Sequence, residues 1–170
     1  QLILGKLPAP SDSIANPCLL FTGAQFGNAA AARDFYTRLI PDSMITHTDC
    51  YGSENPQWEG RLRFGQAMLL HQGFIFMDGP GEHAFAFNEA VSLMLECDTQ
   101  EEIDFFWKKL SAVPEAEQCG WCTDKFGITW QITPRILDEL MRNPEKAEAV
   151  TAAFMPMKKL DLEAIRKAGE

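Results

Sequence analysis

Two thiols spaced as Cys119-Gly-Trp-Cys122 are the first residues in this chain whose type and spacing could do chemistry. Such a pair can close a disulfide, and in redox proteins the first cysteine sits at a helix N-terminus that lowers its pKa. Here Cys122 is followed by Thr-Asp-Lys-Phe-Gly, a turn, and then by the strand-forming run Ile-Thr-Trp-Gln-Ile-Thr. The activating helix is missing, so the pair reads as two cysteines flanking a strand. A zinc site would need two more ligands at matching spacing, and only Cys97 and the scattered His47, His71 and His83 remain.

The histidines belong to no H-E-x-x-H pattern, and the chain holds no G-x-S-x-G and no phosphate loop. Gly79-Pro-Gly81 has neither the spacing nor the following helix of a nucleotide-binding turn. His47 and His83 read as surface or satisfied core residues. His71 ends a predicted strand and so acquires a side.

Periodicity defines the elements that must position these residues. Residues 17–21 form a short apolar strand, and Asn28 can cap a helix over 29–39 whose Ala31, Phe35 and Leu39 recur every fourth residue. A strand over 43–48 and a turn-rich loop over 49–59 follow. Residues 60–64 and 67–71 pair as a hairpin turning at Gly65-Gln66. After a Gly/Pro break at 78–82 the pattern starts again, with a strand over 91–97 and a capping box of Thr99 and Glu102 opening a helix to about Leu110. Short strands at 118–121 and 128–133 enclose the turn at 124–127, and Pro134 stops the last strand. Strand, helix, then paired strands thus occurs over 17–77 and again over 85–133. Three short amphipathic helices are predicted over 136–142, 144–154 and 161–168. The expected layout is an N-terminal arm over 1–15, a domain of two modules over 16–134, and a helical extension over 135–170.

Strand alternation places Ala67, Leu69 and His71 on one face, Ser92, Met94 and Glu96 on another, and Thr129, Gln131 and Thr133 on a third. Leu93, Leu95, Trp130 and Ile132 fall on helix-covered faces, as do Met68 and Leu70. If the modules close on each other, the polar members converge in a cavity of apolar walls and few polar groups, the usual form of a small-ligand site.

A chain of 170 residues can bury about 70% of its unfolded surface, enough for a core without disulfide or metal support. A net charge of −9 argues against nucleic acid and anionic membrane as partners. No run approaches a spanning helix, the first ten residues lack signal-peptide character, and five cysteines fit reduced thiols, so a cytoplasmic location is expected.

Several stretches together resemble a known family: Asn16-Pro-Cys-Leu-Leu-Phe-Thr-Gly23, Ala32-Arg-Asp-Phe-Tyr36, Phe87-Asn-Glu-Ala90, the run from Glu96 to Asp104, Gln118-Cys-Gly-Trp121, the run from Asp124 to Pro134, and Met157-Lys-Lys-Leu-Asp161. They resemble the PhnB-like family of the glyoxalase, bleomycin-resistance and dioxygenase superfamily, also called vicinal oxygen chelate proteins. The resemblance implies an α+β fold of paired βαβββ modules forming a cupped mixed sheet, followed here by C-terminal helices, and a homodimer. Active members of the superfamily hold a divalent metal at positions that correspond here to Asn16, Leu69, Ser92 and Gln131. Leucine cannot bind a metal, and neutral amide and hydroxyl groups bind weakly, so no metal or other cofactor is expected. Members often carry the label 3-demethylubiquinone methyltransferase, for which this sequence offers no nucleoside-binding motif. The expected function is binding of a small, partly apolar molecule by Cys18, His71, Ser92, Glu96, Trp121, Thr129 and Gln131. The alternative is an enzyme of lyase, isomerase or transferase type with Glu96 or His71 as general base. A structural or regulatory dimer is the weaker alternative.

Overall fold

The structure is a computed structural model and describes residues 15–170. The expected N-terminal arm, except its residue 15, lies outside the described residues. The chain divides into two compact units, Gln1–Ala86 and Phe87–Glu170. No helix among the described residues is long and apolar enough to cross a membrane.

The first unit runs β1 (Cys18–Phe21), α1 (Ala29–Leu39), β2 (Met44–Cys50), β3 (Leu62–Leu69) and β4 (Gln72–Asp78). Its sheet has the order β1-β4-β3-β2, with β1 parallel to β4 and the other pairs antiparallel. Helix α1 covers one face because Ala29, Ala32, Tyr36 and Leu39 lie on its buried side, where the Tyr36 ring meets Phe76 at 6.1 Å. Asn28 precedes the helix as expected, but its side chain caps nothing and donates instead to Gln25. The cap comes from Asp78 at the end of β4, whose Oδ1 accepts from Gly27 N at 2.6 Å and Ala29 N at 3.2 Å.

The predicted hairpin turn at Gly65-Gln66 is wrong. Strand β3 runs straight through it, and the chain reverses at Leu70-His71, where Leu70 takes φ 54°. Gly65 serves packing. A Cβ there would stand 2.5 Å from Leu62 Cδ2, so the missing side chain makes room for a buried leucine within a strand. Two consequences follow. His71 is an exposed turn residue with no strand face, and Ala67 and Leu69 are buried. Ala67 is paired with Phe74, on the side that α1 covers.

The second unit runs β5 (Ser92–Cys97), α2 (Gln100–Leu110), β6 (Trp121–Thr123), β7 (Thr129–Pro134), α3 (Ile136–Met141), α4 (Pro144–Phe154) and α5 (Leu162–Ala168). The sheet order is β5-β7-β6, with β5 parallel and β6 antiparallel to the central β7. The predicted capping box opens α2: Glu102 N donates to Thr99 Oγ1 at 3.2 Å and Thr99 N to Glu102 Oε2 at 3.3 Å. Pro134 ends β7, where its missing N–H costs no central ladder bond. The strand expected over 118–121 begins only at Trp121, because Cys119 and Gly120 take φ 54° and 82° and turn the chain. Gln118 keeps a single bridge to Trp121, and among the described residues three strands stand in this sheet against four in the first.

The three C-terminal helices belong to this second unit. Val150, Leu160 and Ile165 are buried together, flanked by Leu137, Phe154 and Met157. Backbone bonds from Cys119 N to Met157 O (2.6 Å) and Gly120 N to Lys158 O (2.8 Å) tie the segment after α4 to the entry of β6. Gly120 is required there twice over, by its φ and because a Cβ would lie 3.0 Å from the carbonyl oxygen of Ile132.

Candidate site on the open face of the second sheet

Alternation divides the β5-β7-β6 sheet as the sequence suggests. Trp130, Ile132 and Cys122 are buried on the side that packs against α2, and their neighbours point the other way. On that open side the strand register sets Met94 beside Gln131 and Gln131 beside Trp121, a row across all three strands. Met94 is 55% exposed and Trp121 is half-buried. Gln131 is held in place: its Nε2 donates to Ser92 Oγ at 2.8 Å. Thr129 lies in the next row, between Ser92 and Thr123, but is buried and offers no surface.

Glu96 ends the face beside Thr133. Its carboxylate is 46% exposed and paired with Arg135, whose Nη1 lies 3.0 Å from Oε2 and whose Nε reaches Asp98 at 3.0 Å. Glu96, one of the two candidate general bases, is thus exposed and ion-paired. Arg135 was missed in the sequence because its partners lie one strand away, and only the parallel pairing of β5 with β7 brings them within reach.

Of the predicted site residues, Ser92, Glu96, Trp121, Thr129 and Gln131 share this sheet, whereas Cys18 and His71 belong to the first unit. Cys18 is exposed on β1 with its thiol 3.7 Å from Met77 Sδ. His47 is exposed on β2 with its ring 5.9 Å from Phe64, and His83 lies 3.2 Å from the Pro80 carbonyl.

All five cysteines are free thiols. Neither member of the Cys119/Cys122 pair sits at a helix N-terminus, and burial pushes both thiols up, Cys122 to about 12 with help from Asp124 and Glu117. Burial likewise raises Cys97 to about 12. These are the opposite of activated thiolates. Raised folded-state values keep both protons on after the unfolded chain, titrating near 9.0, has released them, so stability should be full below pH 9.0 and fall as pH rises toward about 12. Urea denaturation across that range checks the slope. Cys97→Ala and Cys122→Ala together should flatten it.

Of the positions implied for a metal, Leu69, Ser92 and Gln131 do not fit one. Leu69 has no donor atom and is buried on β3, while Ser92 and Gln131 are bonded to each other. The strand beside β1 is β4, whose Ile75 and Met77 pair with Cys18 and Leu20 and supply no hard donor. Among the described residues no three His, Cys, Asp or Glu side chains come together as a metal-binding group.

A unit in which a strand, a covering helix and the strands that follow make one mixed sheet, first strand parallel beside last, is the unit of glyoxalase-type folds. The chain belongs to the family described as 3-demethylubiquinone-9 3-methyltransferase, which matches residues 13–133 and falls within that superfamily. It is similar to a solved structure from Bacillus cereus described as a putative 3-demethylubiquinone-9 3-methyltransferase, PhnB protein. The two are 32% identical with a TM-score of 0.61, over 72% of this chain and 99% of that one. A Staphylococcus aureus protein structure is 22% identical over 70% of this chain and 93% of its own, with a TM-score of 0.31. No curated protein matches the chain.

Proposed function

We propose that this protein binds a small, partly apolar molecule on the open face of its second sheet, without a divalent metal. We place it in the cytoplasm as a homodimer, with neither nucleic acid nor membrane as partner. One observation carries the binding reading: Gln131, clamped by Ser92, stands between the exposed thioether of Met94 and the indole of Trp121 on a face that α2 leaves uncovered. A few oriented polar groups among apolar walls is what a small-ligand site needs. The free thiols and the net charge of −9 support the location and the excluded partners. A general base has less support, since Glu96 is held by Arg135 and His71 lies in an exposed turn.

The neutral dye N-phenyl-1-naphthylamine tests this reading. Saturable fluorescence enhancement is expected, weakened about tenfold in Trp121→Ala, a loss near the value of one well-buried aromatic contact, with the urea midpoint little changed. Equal binding by Trp121→Ala and Met94→Ala would remove the face from the site.

A further inference from the structure

Resting on that reading, we infer that the ligand is an uncharged planar ring carrying an O–H or N–H. The flat element comes first. Trp121, Gln131 and Met94 occupy adjacent strands, so the row spans about 10 Å, the width of a fused bicycle. An indole at one end stacks on a π-face, and a thioether at the other makes its best contacts with aromatic rings rather than with alkyl chains.

The hydrogen-bonding element follows from how Gln131 is held. One N–H of its Nε2 goes to Ser92 Oγ, and Oε1 makes no hydrogen bond among the described residues. The carbonyl end of the amide is thus an oriented acceptor in the middle of the row. The Ser92 hydroxyl, having accepted from Gln131, keeps its own proton to donate. A ligand with a donor beside an acceptor satisfies both, and one with neither leaves a desolvated carbonyl unpaired.

Charge decides the rest. No Lys or Arg lies on the face among Ser92, Met94, Trp121, Thr123, Gln131 and Thr133. Arg135, at the end of the face, is shared by Glu96 and Asp98, so that edge carries two carboxylates against one guanidinium and a net charge of −1. An anionic ligand would lose its hydration against a negative edge and find no counter-ion. A cationic ligand would find Glu96 already paired.

Four probes of one size separate these classes: naphthalene, 2-naphthol, naphthalene-2-sulfonate and 2-naphthylmethylammonium. They are titrated by amide NMR at about 0.5 M salt, which screens the general field of the chain. The expected order places 2-naphthol about fivefold tighter than naphthalene, the value of one net hydrogen bond, and the sulfonate weakest. Gln131→Leu should lose the preference for 2-naphthol over naphthalene. Tightest binding by the sulfonate or the ammonium overturns the uncharged class, and an unchanged naphthol preference in Gln131→Leu overturns the role of the amide. If no probe shifts resonances of β6 or β7, the binding reading itself falls, an outcome distinct from either.

Discussion

Replacing Asp124 by Ala should destabilise the protein by about 3–5 kcal/mol, the range for stripping a buried ionic group from donors that cannot reach water. Asp124 is 2% exposed. Its Oδ1 accepts from Phe126 N at 2.8 Å and Ile128 N at 3.1 Å, and its Oδ2 from the indole Nε1 of Trp130 at 2.8 Å. Its backbone closes the same turn, with Asp124 N donating to Ile128 O and Gly127 N to Asp124 O. One carboxylate therefore shapes the β6–β7 turn and orients the largest fully buried side chain among the described residues. Alanine would take this acceptor from three donors. Asparagine keeps the volume and can still accept from the two backbone amides, but it turns an N–H₂ toward the indole N–H, so Asp124→Asn should lose about half as much. Urea denaturation measures both, and combining each with Trp130→Phe should recover part of the loss, because the indole donor is then gone. A loss under about 1 kcal/mol for Asp124→Ala would mean that water reaches the turn. The proposed ligand binding should weaken with stability, since Trp121 and Gln131 lie one position from the Cys122–Trp130 pair that this turn registers.

How much of this was legible in the sequence depends on the range of the interactions. The repeated order of strand, helix and paired strands, the capping box of Thr99 and Glu102, and the helices after Pro134 all rest on local periodicity or on side chains within four residues of their targets, and the structure has them; the glyoxalase-type fold itself was implied by the family resemblance. The two faces of β5 and β7 were legible for the same reason. Gly65 misled because glycine marks a turn more often than a packing gap, and only the position of Leu62 tells the two apart. That one residue moved the hairpin and took His71 off its strand. The bonds from Cys119 and Gly120 to Met157 and Lys158 join backbone to backbone, which carries no side-chain signature at all. Asp124 sat in a recognisable turn, and aspartate accepting from amides two residues on is ordinary turn chemistry; its reach to Trp130 needed the register of β6 and β7.

Asp78 should be as sensitive in the first unit, for a different reason. It is 1% exposed and ends β4, yet its partners belong to two other elements. Oδ1 accepts from Gly27 N and Ala29 N at the start of α1, and Oδ2 from Leu62 N at the start of β3, at 3.0 Å. The carboxylate thus does for α1 what Asn28 does not. It satisfies amides that would be orphaned at the helix N-terminus and sets its negative charge at the positive end of the helix dipole. An ordinary cap from the preceding residue is worth about 1 kcal/mol. Asp78→Ala should cost about 3–5 kcal/mol, because the same change also strips Leu62 N and leaves the Ala29 and Leu62 donors buried without their acceptor. Asp78→Asn separates the contributions: a neutral amide can accept through one oxygen only, so either the helix end or Leu62 goes unserved, and the dipole interaction is lost with the charge. Amide hydrogen exchange reads which, since lost protection in the first turn of α1 and at Leu62 should appear in Asp78→Ala, and at one of the two places in Asp78→Asn. Unchanged protection at Gly27 and Ala29 in Asp78→Ala would return the cap to Asn28.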